Sequence, residues 1–453
     1  MIKRTLKQIQ RMVNGTGLEE RFEDLMIEGV VIDSRTVQSG NLYIPIIGAR
    51  VNGHVFAQHA MDAGAGGIFW QQGEPHIPTD IPVIVVENTK IALQQLAIAY
   101  KEELNMKVVG ITGSNGKTST KDILASILAT TYQVHKTPGN FNSEFGMPLT
   151  LLMAPADTEI AVLEMGMRGL GQIKLLSDMA KPDVSVITCI GEAHIEELGS
   201  RENISIAKFE ITSGLRESGL FVYHGDEPLL KARLAQTSSK FKLVTFGDGT
   251  NNDYYPTSMS VDGNGMAFTI PQNDLTFNLS VLGKHNVMNT LSAIAVARHF
   301  NVTFEKIKAG LAHVEMSKMR MEIVHAKNGL MIIDDTYNSS PTSVRATLDL
   351  LYSLTGYVKK IVVLADMLEL GEHTACYHKE IGAAIDPNEI DVLFTYGPLS
   401  KYTADQSKVP LTQHFDNKAQ LAKELRHYSS SKDVCLIKGS RGMALEDVIN
   451  ELK

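Results

Sequence analysis

A lysine and a threonine that directly follow a glycine-bounded turn are the residues of this 453-residue chain best suited to chemistry. In KVVGITGSNGKTSTK, residues 107–121, the apolar run of Val108, Val109 and Ile111 breaks into Gly113, Ser114, Asn115 and Gly116 and resumes as a helical pattern from Thr118. A strand that turns through glycines into a helix offers backbone N–H groups and a helix N-terminus to an anion. Lys117 adds a mobile positive charge for the outer phosphates, and the Thr118 hydroxyl suits a magnesium ion. The long form of this phosphate loop needs a glycine six residues before Lys117, where the chain has Ile111. The shorter GxxGKT form, Gly113 to Thr118 preceded by Thr112, remains. The stretch implies a nucleoside triphosphate site.

Other polar residues fall where such a site needs partners. Glu164 closes the apolar run IAVLE, and Glu192, His194 and Glu196 follow VSVITCIG. A carboxylate and an imidazole at neighbouring strand ends can share a divalent cation, although such residues also cap helices. Asn140 and Asn142 lie in TPGNFNSEFG, a further candidate substrate segment. Lys208 sits among apolar neighbours in SIAKFEI, where a snorkelling side chain is the ordinary expectation. Asn286 and Asn289, three apart at the start of a helical pattern, share one face and can meet an adenine edge or cap the helix. Near the N-terminus, Asp33, Ser34 and Arg35 follow a strand pattern, and Asn52, Gly53 and His54 precede a helix. Arg35 suits either a phosphate or an ion pair with Asp33.

The elements that must position these residues alternate. Strand patterns at 29–33, 42–46, 67–70 and 82–86, with a helix at 55–65, predict a first domain over residues 1–98. A helix at 90–104 leads into strands at 107–112, 159–164, 184–188, 219–223 and 243–246, which predict a second domain over 99–315. Within it, 248–282 reads as an antiparallel excursion with turns such as Asp262-Gly263-Asn264-Gly265. Strands at 330–334, 360–365, 391–395 and 434–438, with helices at 343–354, 378–384 and 421–428, predict a third domain over 316–453. The expected fold is α/β: a central phosphate-loop domain on a parallel sheet, an N-terminal domain, and a C-terminal Rossmann-like domain. Ligands in such sheets sit beyond the carboxyl ends of the strands.

Composition narrows the function. Hydrophobic residues make up 43% and charged residues 21%, as in a globular protein. A formal net charge of −8 leaves no bulk basic field for nucleic acid, so any polyanion must be held locally. Three scattered cysteines, Cys189, Cys376 and Cys435, without a CxxC spacing, argue for a reducing compartment and against structural zinc. No run reaches the roughly 18 apolar residues of a spanning helix. A cytoplasmic protein without membrane insertion, and a monomer, are expected.

An ordered set of segments carries a family resemblance. VVIDSR with GNLYIPIIG, ITGSNGKTSTK, TPGNFNSEFGMPLTLL, LEMGMRGLGQI, GEAHIEELGS, IAKFEI, GKHNVMN, DDTYNSSPTS, LADMLELGE and KGSRGMALE together resemble the Mur ligases of peptidoglycan synthesis over essentially the whole chain. The resemblance is greatest to the member that joins D-Ala-D-Ala to UDP-MurNAc-tripeptide. It implies an ATP-dependent, amide-forming ligase that uses Mg²⁺: a tripeptide carboxylate becomes an acyl phosphate, which the dipeptide amine then attacks. It further implies that the loop from Gly113 to Thr118 holds phosphates, with Lys117, His194 and Lys208 catalytic. Thr118, Glu164, His194 and a CO₂-carbamylated Lys208 would bind metal. Asn286 and Asn289 would meet adenine, Arg320 and Asp335 would contact nucleotide phosphate and ribose, and Ser34 and Arg35 would belong to the UDP-binding domain. The chain departs from the family pattern at YNSSP and at Ser143, in the substrate segment. The sister ligase that adds a single third amino acid, and a phosphate-loop switch, are the competing readings. The absence of a DNPR-type segment and the presence of LADMLELGE favour the dipeptide ligase.

Overall fold

The structure, a computed structural model, describes residues 1–238, 240–262 and 265–453. Gly263 and Asn264 of the expected turn lie outside the described residues.

Three α/β units follow one another along the chain. The first is built on a four-stranded parallel sheet, Val30–Val31, Leu42–Tyr43, Gly67–Gln71 and Val83–Val86. Three of these strands are shorter than expected, and Gly67–Gln71 is one residue longer. The expected helix at 55–65 begins as a 3-10 turn, Gly53–Phe56, and is α-helical only over Ala57–Asp62. The short helix Leu6–Met12 buries Leu6 and Ile9 and is fixed by a capping box between Thr5 and Gln8.

The central sheet has six strands, all parallel, with Lys107–Thr112 between Val184–Ile187 and Ile160–Glu164. Leu220–His224 and Lys242–Phe246 extend it on one side. Val134–Lys136, too short and polar to read from its pattern, closes the other. Buried on both faces, its inner strands are nearly continuous in Val, Ile and Leu. The helix Lys284–His299 is buried at every residue from Asn286 to Ala297 and packs against the phosphate-loop helix Lys117–Leu128. A second helix, Phe304–Leu311, approaches the same helix so closely that a Cβ at Gly310 would stand 2.7 Å from Ile127 Cα. The phosphate-loop helix is therefore clamped on two sides. The antiparallel excursion forms a separate three-stranded sheet, Ser258–Asp262, Gly265–Thr269 and Phe277–Leu279.

The C-terminal sheet also has six strands. Its core pairs, among them Met331–Asp335 with Val434–Lys438, are parallel, but the edge strand Glu322–His325 is antiparallel. That strand and Leu411–Phe415 escape sequence reading because their burial is partial and their pattern weak. The helix Thr89–Leu104 runs unbroken through residue 98, ending at Asn105 in a left-handed conformation, so the expected boundary at 98–99 falls inside a helix. The expected boundary at 315–316 falls between the helix Phe304–Leu311 and the strand Glu322–His325. Among the described residues no helix is long and apolar enough to cross a membrane.

Candidate active site

The carboxyl ends of three adjacent inner strands of the central sheet, Lys107–Thr112, Ile160–Glu164 and Val184–Ile187, open into a cleft of about 760 Å³. Its floor is the turn Gly113 to Gly116 and the first turn of the helix Lys117–Leu128. Gly116 has φ +80°, and a Cβ there would collide with Asn289. A Cβ at Gly113 would collide with the Thr188 hydroxyl. Glycine is thus required at both, once for backbone conformation and once for close approach. No side chain caps the helix, whose first N–H groups lack intrahelical acceptors. An uncapped N-terminus facing a cleft is a built anion site.

Two of the loop's amides are engaged elsewhere. Ser114 N donates to the Cys189 carbonyl at 3.0 Å and Asn115 N to the Cys189 sulfur at 3.3 Å. The Ser114 hydroxyl accepts from Gly191 N at 2.8 Å. These bonds brace the loop against the neighbouring strand end. They leave the amides from Gly116 onward for a ligand. Lys117 donates to the Gly113 carbonyl at 2.8 Å, and burial lowers the pKa of its ammonium.

Thr118, Glu164 and Asn142 form one chain of contacts. The Thr118 hydroxyl donates to Glu164 Oε2 at 2.8 Å, and Asn142 donates to Oε1 at 2.8 Å. The carboxylate is buried, and its backbone N–H is held by Thr137. Asn140, Asn142 and Ser143 line the same cleft. Ser143, at the departure from the family pattern, accepts from Gly146 N at 3.3 Å and so braces the start of the helix Gly146–Met153. His194 also lines the cleft.

Arg320 reaches the cleft from the C-terminal unit. Its guanidinium carbon lies 4.0 Å above the Tyr337 ring and its buried Nε has no protein partner. That orphaned donor, on a residue that lines the cleft, fits a nucleotide phosphate.

Four expected residues stand off the cleft wall. Lys208 is buried behind it, on the helix Arg201–Phe209. Burial first, and then the nearby Lys117 charge, push its pKa well below the usual lysine range. The snorkelling expectation is therefore wrong, because this ammonium has no route to solvent. Asn286 and Asn289 are tied to one another, Asn289 donating to Asn286 Oδ1 at 3.2 Å, while Asn286 donates to the Leu282 carbonyl at 2.8 Å. Asn289 touches the loop at Gly116. Asp335 is paired with Lys438, which also donates to the Asn338 carbonyl at 2.9 Å.

Ser34 and Arg35 lie apart, in the N-terminal unit. Arg35 forks onto Asp33 with contacts of 2.9 and 2.6 Å, and its side chain is 83% exposed. In this structure the ion pair is formed.

Sequence reading passed over Glu369. It lines the cleft from the C-terminal unit, with Oε2 3.1 Å from His194 Nδ1. The geometry does not make this contact a hydrogen bond, and His194 Nδ1 has no hydrogen-bond partner among the described residues. The imidazole holds the Glu369 carboxyl below its ordinary range. Only its place in LADMLELGE, after a strand end, could have marked it.

A phosphate loop on a parallel sheet, roofed by an arginine from a following Rossmann-like unit, defines a nucleotide-dependent α/β enzyme assembled from more than one unit. Family models agree along the chain: "Mur ligase family, catalytic domain" matches residues 26–109, "Mur ligase middle domain" 111–297, and "Mur ligase, glutamate ligase domain" 319–441. The UDP-N-acetylmuramoyl-tripeptide--D-alanyl-D-alanine ligase of Bacillus subtilis (strain 168) is 46% identical over 100% of this chain and 99% of its own. A crystal structure of MurF from Acinetobacter baumannii, 28% identical, superposes with a TM-score of 0.90 over 100% and 99% of the two chains. That of MurF from Thermotoga maritima in complex with ADP, 30% identical, gives 0.84 over 94% and 97%. The chain belongs to the Mur ligase family and is an ATP-dependent ligase.

Proposed function

We propose that this enzyme joins D-Ala-D-Ala to UDP-MurNAc-tripeptide at the expense of ATP, giving UDP-MurNAc-pentapeptide for peptidoglycan synthesis. The observation that carries the reading is the full-length 46% identity to a relative bearing that name, on a chain whose phosphate loop faces Arg320 across one cleft. The three-domain division at 98–99 and 315–316 belongs to this reading, with the first junction moved to the end of the helix Thr89–Leu104. So do a cytoplasmic location and a monomeric state.

Within this reading, the amides from Gly116 to Thr118 and the Lys117 ammonium neutralise the transferring phosphoryl group, which is most of what such catalysis requires. Arg320 closes over the phosphates from the opposite side. Asn286 and Asn289 meet adenine, while Asp335 contacts ribose. Ser34 and Arg35 belong to the UDP-bearing substrate's site, where Arg35 exchanges Asp33 for phosphate. Asn140 and Asn142 border the tripeptide end.

The donor set fits Mg²⁺. Among the described residues no group of three or more His, Cys, Asp or Glu side chains forms a ready cage. Magnesium suits such a site, since it needs only one or two carboxylates among its ligands and fills much of its shell with phosphate oxygens and water. Thr118, Glu164 and His194 would hold it, and it would offset charge on the phosphates. Lys208, whose environment favours the neutral amine, is suited to addition of CO₂, which forms a carbamate with release of a proton. The addition replaces a neutral buried amine with a carboxylate analogue behind the cleft wall.

Phosphate release from ATP tests the proposal. Release requiring both UDP-MurNAc-tripeptide and D-Ala-D-Ala, with a pentapeptide product by mass, is expected. If a single amino acid replaces the dipeptide, the sister ligase is correct. Turnover without either substrate would leave a nucleotide switch.

A further inference from the structure

His194 and Glu369 belong to different units, and both adopt left-handed backbone conformations, with φ of 67° and 63°. Non-glycine residues rarely hold such angles, and they persist where the surroundings over-determine them. Glu369 sits on a loop pinned at its base: Met367 N donates to His378 at 3.0 Å and Leu368 N to the Ser440 hydroxyl at 2.9 Å. Asp366 accepts from Leu399 N at 3.1 Å and from Ser400 N at 2.6 Å. The loop therefore moves with the C-terminal unit. It docks beside His194, where Glu196 N donates to the Glu369 carbonyl at 3.3 Å and a Cβ at Gly371 would stand 3.2 Å from Glu196 Cα.

We propose that Glu369 is a positioning residue: its carboxylate, 3.1 Å from His194 Nδ1 but off hydrogen-bond geometry in this structure, takes the Nδ1 proton in a hydrogen bond when nucleotide is bound and leaves Nε2 unprotonated for the cleft. A carboxylate behind an imidazole fixes both its tautomer and its ring orientation. The inference rests on the role given to His194 above. Lining position, backbone conformation and loop anchoring support it together.

The test uses the full chain with nitrogen-15-labelled histidine, bound to ADP in the presence of a chelator, with His194 assigned through His194→Gln. The Nδ1-protonated tautomer should dominate in the wild type and in Glu369→Gln, whose amide oxygen still accepts. It should be lost in Glu369→Ala and in the too-short Glu369→Asp. In turnover assays, Ala and Asp should lower kcat by roughly 10- to 100-fold, the usual effect of removing such a partner. KM for the dipeptide should stay within about two-fold, and Gln should recover most of the rate. An unchanged tautomer in Glu369→Ala would overturn the inference, whatever the rates. If the wild type makes no pentapeptide while the tautomer still follows residue 369, the reaction assignment fails and the positioning role stands.

Discussion

Glu192 reaches out of the central unit to the first turn of the helix Pro341–Ser353, where it accepts from the Thr342 hydroxyl at 2.6 Å and from Thr342 N at 3.1 Å. A carboxylate from one unit thus caps a helix of the next, favoured by the helix dipole. Asn115 of the phosphate loop touches Ser340 in the same turn, donating at 3.3 Å. The nucleotide loop and the C-terminal unit are latched at one point.

Opening the latch should cost closure. Each hydrogen bond to a charged group contributes about 1.5–3 kcal/mol, so Glu192→Ala should reduce the ratio of closed to open molecules by roughly ten-fold or more. Small-angle scattering should show the radius of gyration falling when nucleotide and substrate bind the wild type, with a hinge near 315–320. The fall should be smaller in the variant. Equal compaction in both would remove Glu192 from the closure.

Lys117→Ala should lower kcat by about 10²-fold or more, because the phosphoryl charge loses its fixed counter-ion. Near-normal turnover would show the loop assignment to be wrong.

Gly116→Ala should fail twice over. A left-handed conformation costs an L-residue about 1–2 kcal/mol, and the new methyl would collide with Asn289. Thermal denaturation should register the strain as a lower Tm, and ADP should no longer raise it. A variant with wild-type Tm and ADP response would contradict the packing of loop against helix.

His285 gives the fold a pH dependence. Burial holds its pKa down at about 4, with Asp335 opposing and Lys438 adding to the shift. The folded state keeps the ring neutral, whereas the unfolded chain takes up a proton below its ordinary 6.5. This contribution to stability is therefore whole above 6.5 and declines as pH falls from there towards 4, by about 3 kcal/mol at most. Urea denaturation across that range should show a flatter pH profile for His285→Gln than for the wild type. Parallel profiles would mean that the ring is solvated.

Local pattern carried the phosphate loop, the polar strand ends and the alternation of strands and helices, because each is written in neighbouring residues: Gly113, Gly116, Lys117 and Thr118 are a single turn of chain. It also carried Glu164 and His194, each at the end of an apolar run. Short edge strands such as Val134–Lys136 were not legible, since three half-buried residues have no period to detect. Burial of Lys208 was not legible either. Its neighbours in sequence permit snorkelling, and only the helices and strands packed over it forbid that.

The chain's order of residues by itself determined the kind of ligand, the family and many of the polar residues that line the cleft. Tertiary structure alone decided which of them share a cleft. It brought Arg320 and Glu369 over a loop two hundred or more residues earlier. The physical reason is that these contacts join separate sheets, and nothing in the local chain encodes the distance between surfaces that meet only after each has folded.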